Sequence, residues 1–281
     1  MDQLIDDLIR LAFAEDIGDG DHTTLSSIPA TAVGKSRLII KEDGVLGGVE
    51  MARKIFHTFD PGLKINVFIG DGMEVKKGDI AFTAEGKVRS LLQTERLVLN
   101  VMQRMSGIAT TTRKYVKALE GTKTRVLDTR KTTPGMRMLE KEAVRIGGGV
   151  NHRIGLFDMI LLKDNHVDFA GGIGKAIIRA KEYLREKGKD IKIEIEVRNL
   201  DELQEVLHTG GINRIMLDNF NVENTRKAVD MVGGRYELES SGGITFDTLR
   251  QYAETGVDYI SVGALTHSVK SLDMSLKAVD N

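Results

Sequence analysis

The sequence predicts an α/β chain in two parts: a small, mostly antiparallel sheet followed by a long apolar helix, and then a parallel βα barrel, closed or nearly closed. Three observations predict it. Short β-type runs punctuated by glycine fill residues 30–88. Apolar residues at helical spacing run from Ser90 to Glu120. After Gly121, strand-like and helical stretches alternate. A length of 281 residues accommodates one large α/β domain, or one such domain with a smaller companion.

The first element is a helix. In "MDQLIDDLIRLAFAED", Leu4, Ile5, Leu8, Ile9 and Ala12 recur at helical spacing. The segment is acidic and lacks the basic start and unbroken apolar core of a secretory signal. No apolar run approaches the ~20 residues that span a bilayer, so the expectation is a soluble, cytoplasmic protein without a membrane partner. The runs "GKSRLIIKEDGVLGG" and "GLKINVFIGDGMEVKKGDIAFTAEGKV" predict the small sheet. The second is similar to the hairpin of biotinyl and lipoyl carrier domains, but Lys76-Lys77 lies before a Gly-Asp turn without their framing, and a plain sheet is preferred. Leu91, Leu92, Leu99, Met102, Met105 and Ile108 then form a stripe wide enough for a helix to pack on more than one partner, another subunit included. Gly107 is expected to interrupt or bend that helix.

Strand-like runs follow at "RVLDT", "DMILLKDN", "IKIEIEV", "RIMLDN", "YELESS" and "YISVGA". Most are separated by helical stretches such as "GKAIIRAKEYLREKG" and "LDELQEVLHTG", which implies βαβ units, fewer than the eight of a full barrel.

Composition limits what this architecture does. Hydrophobic residues make up 41%, charged residues 29%, and the net charge is -1, which argues against nucleic-acid binding through bulk positive charge. Cations grouped in one place would act on a small anion instead. With no cysteine, disulfides, thiol chemistry and Cys-based zinc sites are excluded.

The strands place their charges in a pattern. In "IKIEIEV", Ile191, Ile193, Ile195 and Val197 alternate with Lys192, Glu194 and Glu196, so both glutamates share one face. Helices cover the outside of a βα barrel, and the glutamates are therefore expected inward. The same parity separates Met216 and Asp218 from Ile215 and Leu217, Lys163 from Ile160 and Leu162, and Glu237 and Glu239 from Leu238. Charges so placed must be paired, hydrated or ligand-bound, and Lys163 among Glu194, Glu196 and Asp218 is one such arrangement. A sheet with one solvated face explains any single strand equally well. Polar residues recur, however, at the C-terminal ends: Thr129-Arg130, Lys163, Glu196, Asp218, Ser240-Ser241 and Gly263. Barrel active sites are built at that end.

Two segments carry the cations. In "LDTRKTTPG", Leu127 gives way to Asp128, Thr129, Arg130 and Lys131 before Pro134-Gly135 ends the element. In "GGGVNHRIGLFDMILLKDNH", His152, Arg153, Lys163 and His166 follow a glycine run. No spacing here matches a zinc site, and the neighbouring cations would repel a metal. "SSGGI" and "SVGAL" close the last two strands, where glycine lets backbone N–H groups approach a phosphate.

Taken together, these segments resemble the quinolinate phosphoribosyltransferases, the carboxylating nicotinate-nucleotide pyrophosphorylases of the type II phosphoribosyltransferase family. The resemblance covers nearly the whole chain through "EDIGDGDHTT", "TERLVLNVMQRMSGIAT", "DTRKTTPGMR", "GGGVNHRIGLFDMILLKDNH", "IEIEV", "IMLDNF", "SSGGI" and "SVGALTHS". It implies an incomplete parallel α/β barrel, residues 108–266, with an N-terminal open-faced α/β sandwich domain, residues 1–107, completed by 267–281. It also implies a homodimer or a larger assembly of dimers.

The implied reaction moves a phosphoribosyl group from phosphoribosyl pyrophosphate to quinolinate, releasing pyrophosphate and CO2 and leaving nicotinate mononucleotide. By the same resemblance Thr129, Arg130, His152, Arg153 and Lys163 line the quinolinate pocket, with Arg96 reaching in from a neighbouring subunit. Lys131 would contact the phosphoribosyl donor. Glu196 and Asp218 would lie near the ribose hydroxyls and a magnesium ion, and Ser241, Gly242, Gly243 and Gly263 would hold the 5′-phosphate. Lys131, Lys163, Glu196 and Asp218 are the residues expected to carry the chemistry. His166, Arg104 and Arg137 receive no role. Competing readings are a nicotinate-specific or molybdate-associated sister transferase, and a Schiff-base lyase using Lys163, since a strand-end lysine in a barrel is also an aldolase arrangement.

Overall fold

The computed structural model describes residues 2–279. Its contacts gather into two compact units, Met1–Arg113 with Thr132–Gly148 and Ala264–Asn281, and Lys114–Lys131 with Gly149–Gly263.

The chain begins with helices α1 (Asp2–Ile17) and α2 (His22–Ser27), strands β1 (Val33–Ile40) and β2 (Gly44–Val45), and helix α3 (Val49–Phe59). Strands β3 (Lys64–Val67), β4 (Glu74–Val75) and β5 (Ile80–Lys87) lead into the long helix α4 (Val88–Ala118). Strand β6 (Arg125–Leu127), helix α5 (Arg137–Ile146), strand β7 (Met159–Leu162) and helices α6 (Asp164–Ala170) and α7 (Ile173–Lys187) come next. Then strands β8 (Lys192–Val197), β9 (Arg214–Asp218), β10 (Glu237–Ser241) and β11 (Tyr259–Ser261) alternate with helices α8 (Leu200–Thr209), α9 (Val222–Val232) and α10 (Phe246–Ala253). Helix α11 (Ala264–His267) and strand β12 (Met274–Ala278) complete the chain.

In the first unit the sheet order is β12-β1-β5-β3, with antiparallel neighbours throughout. Alternation buries Leu38 and Ile40 of β1 on one face, where they join Phe82 and Ala84 of β5 in the core. Helix α3 adds Val49, Ala52, Ile55 and Phe56, one stripe at helical spacing, and Phe56 meets Phe82 edge to face. The last described strand, β12, pairs with β1, so the C-terminal end of the chain belongs to this sheet. An apolar cleft of about 300 Å³ lies against β1, β12 and α4, lined by Val88, Leu91, Leu92 and Leu276. None of the candidate site residues lines it.

Helix α4 is continuous through Gly107, and the expected interruption is absent. Here the glycine provides clearance: a Cβ at this position would run into the carbonyl oxygen of Lys270. Gly107→Ala should therefore destabilise this unit by about 1–3 kcal/mol, the usual cost of overpacking, despite alanine's better helix propensity. An unchanged or raised melting temperature would contradict this.

Residues Thr132–Gly148 also fold with the first unit, although the sequence places them within the barrel segment. The reason is packing and an ion pair made by a buried glutamate. Leu139, Ala143 and Val144 of α5 are buried, and Glu140 meets Arg104 of α4 at 2.6 Å.

The second unit is a parallel sheet in the order β6-β11-β10-β9-β8-β7, and each of these strands coincides with a run expected from the sequence. The two outer strands do not pair with each other; Val150 forms a single bridge to Leu127 of β6 instead. The barrel is therefore incomplete. Ile193, Ile195, Val197, Ile215, Leu217, Leu238 and Ile260 are buried on one face of the sheet, and Leu203, Val206, Ala228, Val232, Leu249 and Ala253 supply the buried stripes of the covering helices. Asn199 and Asn221 cap α8 and α9 through their side chains, and left-handed glycines Gly188 and Gly233 end α7 and α9.

Candidate active site

With the isoleucines and leucines taken outward, the opposite parity carries the charge. Strand pairing sets Leu161 beside Glu194, Glu194 beside Arg214, and Arg214 beside Glu237, and it sets Glu196 and Glu239 on either side of Met216. Glu194, Glu196, Arg214 and Glu239 are all buried. The inward expectation for the glutamates therefore holds.

Arg214 is the hub beneath the site. Its guanidinium lies 3.3 Å from Glu239, 4.0 Å from Glu194 and 3.1 Å from Glu237, and 4.2 Å above the ring centre of Tyr259. Burial works against its charge, but these carboxylates outweigh that and hold its pKa above the ordinary value. His152 also enters the network, its Nε2 3.0 Å from Glu194 and 3.4 Å from Glu239. Ligand atoms of His152, Glu194 and Glu239 come within 4.8 Å of one another, a metal-like grouping. Arg214 already supplies the positive charge there, which disfavours a second cation.

Burial raises the pKa of Glu194, and burial together with the nearby Glu194 pushes Glu239 up to about 8. A proton kept by Glu239 favours ionised Glu194 through the hydrogen bond between them. The unfolded chain would release the Glu239 proton near the ordinary value of 4.5. From 4.5 up to about 8 the folded state thus holds the extra proton, and its stability falls as pH rises through that window. Glu239→Gln, a mimic of the protonated acid, should flatten the decline of melting temperature across that range. Equal slopes in the two proteins would refute the assignment.

Above this floor, the segment after β6 and the segment around His152 are fastened together by Asp128. The side chain of Asp128 is fully buried and accepts from the His152 N–H at 2.8 Å and from Asn151 Nδ2 at 2.6 Å. Thr129 Oγ1 accepts from the Lys131 N–H at 3.0 Å, turning the chain so that Arg130 and Lys131 are exposed at the strand end. Arg153 is buried and donates to the Met159 carbonyl at 3.2 Å. Burial lowers its pKa and Arg130 lowers it further, so the two guanidinium groups are close enough to repel. Asp158 closes the adjoining turn by accepting from the N–H groups of Ile154 and Gly155.

Lys163 lies at the end of β7 and reaches Glu196 at 3.1 Å. Of the three acids expected around it, Glu196 is its ion-pair partner, whereas Glu194 is committed to His152 and Arg214. His166, unassigned from sequence, accepts from the Lys163 N–H and so caps α6. Asp218 ends β9 in register with Ser241 of β10, and Asn219 bonds the Asp218 carboxylate at 2.8 Å. Asn219 has φ 53, and its side chain occupies the space where a Cβ on Gly242 would lie. Gly242 and Gly243 both have positive φ, which turns the chain from Ser241 toward the start of α10. Gly263 follows β11.

Arg96 is exposed on α4 in the other unit, which also contains Arg104 and Arg137. Arg104 bonds Glu140, Thr133 and the Thr266 carbonyl, and Arg137 bonds Thr132. Both therefore tie the segment after Lys131 to its own unit. Sequence reasoning gave no role to Arg214, Asp128, Asn219 or Glu140. Arg214 had a readable signal, since it shares the parity of Asp218 in "RIMLD".

Fold and site together define an incomplete α/β-barrel protein with cations at its strand ends and acids beneath, a set suited to small anions. The comparisons give that class a family. Residues 108–277 match the quinolinate phosphoribosyl transferase C-terminal domain, and residues 21–106 match its N-terminal domain. The chain is 45% identical to quinolinate phosphoribosyltransferase [decarboxylating] 1b of Nicotiana tabacum, over 96% of this chain and 81% of that protein. It is 41% identical to a probable nicotinate-nucleotide pyrophosphorylase [carboxylating] of Synechocystis sp., over 99% of this chain and 94% of that one. NadC from Streptococcus pyogenes superposes with a TM-score of 0.92 at 40% identity, covering 98% of this chain and 97% of that structure. The chain belongs to the quinolinate phosphoribosyltransferase family.

Proposed function

We propose that this chain transfers the phosphoribosyl group of phosphoribosyl pyrophosphate to quinolinate with decarboxylation, giving nicotinate mononucleotide, CO2 and pyrophosphate for NAD biosynthesis. The observation that carries this reading is the set Arg130 after β6, Arg153 in the segment that leads into β7 and Lys163 after β7, with Glu196, Asp218 and the Ser241–Gly243 turn at the ends of β8, β9 and β10. Quinolinate has two adjacent carboxylates, and arginine's planar fork suits each of them. Several cations exceed what the single carboxylate of nicotinate requires.

On this reading Thr129, Arg130, His152, Arg153 and Lys163 orient quinolinate so that its ring nitrogen faces the anomeric carbon of the donor. Lys131 takes the donor's phosphates, and Ser241, Gly242, Gly243 and Gly263 take the 5′-phosphate. Glu196 and Asp218 suit magnesium: Lys163 engages one oxygen of the first and Asn219 one oxygen of the second, which leaves each carboxylate another hard donor. Bound magnesium would neutralise charge on the departing pyrophosphate. Positioning and electrostatics carry such a step without a protein nucleophile. Attachment makes the ring nitrogen cationic, which favours loss of the neighbouring carboxylate as CO2.

Mass-spectrometric detection of product from quinolinate or nicotinate, each with phosphoribosyl pyrophosphate and magnesium, tests the reading. Nicotinate mononucleotide from quinolinate alone is expected; product from nicotinate alone would assign a sister transferase.

We further infer a cytoplasmic homodimer in which Arg96 completes the neighbouring subunit's site. Its support is the exposed position of Arg96 on a helix whose Leu92 is also exposed. No helix among the described residues is long and apolar enough to cross a membrane. Arg96→Ala and Lys163→Ala proteins, each inactive, should regain activity when their subunits are exchanged. Hybrid dimers that form and stay inactive would refute the shared site.

A further inference from the structure

We propose that Glu194 and Glu239, buried where no substrate reaches them, are positioning residues for quinolinate: they hold His152 as its Nε2–H tautomer, and His152 in turn sets Arg153. This rests on the reading of Arg153 as a quinolinate-binding residue.

Both ring nitrogens of His152 face protein atoms. Nδ1 accepts the Arg153 N–H at 2.7 Å. A ring nitrogen that accepts carries no proton, so the proton sits on Nε2. That nitrogen faces Glu194 at 3.0 Å and Glu239 at 3.4 Å. The backbone of His152 is pinned as well, by Asp128 at 2.8 Å. The bond to Nδ1 and the bond to the backbone fix the ring, and the Nε2–H tautomer is the one that turns the ring proton toward the carboxylates.

Neutralising Arg214 does not by itself account for the two acids. Glu237 already pairs with Arg214 at 3.1 Å, and neither Glu194 nor Glu239 is exposed to solvent. Buried carboxylates need a positive or donating neighbour, and the imidazole Nε2 lies at ion-pair distance from both of them. In the other tautomer, Nδ1–H would confront the Arg153 N–H, and Nε2 would present a lone pair to the carboxylates. Relief would require the Arg153 peptide to rotate, carrying with it the guanidinium now held against the Met159 carbonyl. Displacement of a substrate clamp by about 1 Å is enough to cost roughly a hundredfold. The effect should fall on quinolinate, because on this reading Arg153 contacts quinolinate and not the phosphoribosyl donor.

The test is steady-state kinetics with each substrate varied, on wild type, Glu194→Met and Glu194→Gln, with isotope-resolved nitrogen NMR of the His152 ring. Glu194→Met removes the nearer acceptor and should raise KM for quinolinate about tenfold or more, while KM for phosphoribosyl pyrophosphate stays within about twofold. Glu194→Gln keeps an acceptor oxygen and should restore KM for quinolinate to within about threefold of wild type. The wild-type spectrum should show the neutral Nε2–H form. Equal rises in both KM values, a fall in kcat alone, or a wild-type spectrum showing Nδ1–H or the imidazolium overturns the proposal, and the spectrum decides even if Glu194→Met fails to fold. Wild-type protein that turns over no quinolinate overturns the functional reading as well, whereas active wild type with any of those results overturns this proposal alone.

Discussion

Arg130→Ala should nearly abolish quinolinate use and leave the fold intact. Arg130 is exposed at the end of β6 and close enough to Arg153 to depress that residue's pKa, so the two guanidinium groups repel. Like charges held close together cost free energy, and the dicarboxylate proposed as substrate would relieve that cost. Truncating one member of a desolvated, hydrogen-bonded charge pair costs about 2–5 kcal/mol. At about 1.4 kcal/mol per factor of ten, the loss in kcat/KM is roughly thirtyfold to several thousandfold. Stability should change by no more than about 0.5 kcal/mol, as for surface substitutions generally. Kinetics with quinolinate varied, alongside a melting curve, checks both. Unchanged kinetics would remove Arg130 from the site.

Lys163→Met should be nearly as damaging for a different reason. Lys163 touches Glu196 at 3.1 Å and brings the cation of β7 to the carboxylate of β8. Losing it removes a cation from the proposed quinolinate pocket and also leaves the buried Glu196 carboxylate without its ammonium partner. Removing one electrostatic contact to developing charge typically lowers kcat by about 10²–10³. The stability effect should be small, because Lys163 is half-exposed and its ion pair is screened by solvent. Turnover within about threefold of wild type would contradict a role for Lys163 in charge stabilisation.

The parts of this architecture that were legible in the sequence are those set by local periodicity. Period-two alternation in "IKIEIEV" is enough to send Glu194 and Glu196 inward, and both are buried. The same parity around Leu238 places Glu239 correctly. What stayed hidden depends on register between strands or on distant segments meeting. Arg214 was overlooked because it starts its strand, away from the C-terminal ends where sites are sought, and its partners lie on β8 and β10. Asp128 was visible in "LDTRKTTPG", but its work depends on Asn151 and His152 returning to the end of β6. Gly107 reads in the sequence as a break because a glycine within a helical pattern looks like one, and the helix runs on through it. Its actual function, clearance for Lys270, appears only when the C-terminal segment is laid against α4. Segment 132–148 departs from the barrel for a similar reason: the buried Glu140 finds its partner, Arg104, on a helix of the first unit.

The central claim is that one pocket holds both carboxylates of quinolinate until the glycosidic bond forms and then releases one. The most direct measurement supplies quinolinate labelled in the carboxylate next to the ring nitrogen, with phosphoribosyl pyrophosphate and magnesium, and follows the label against pyrophosphate. Labelled CO2 appearing in step with pyrophosphate, and an unlabelled mononucleotide, is the predicted result. Pyrophosphate released while the label stays in the nucleotide, or no turnover by folded protein, would contradict it.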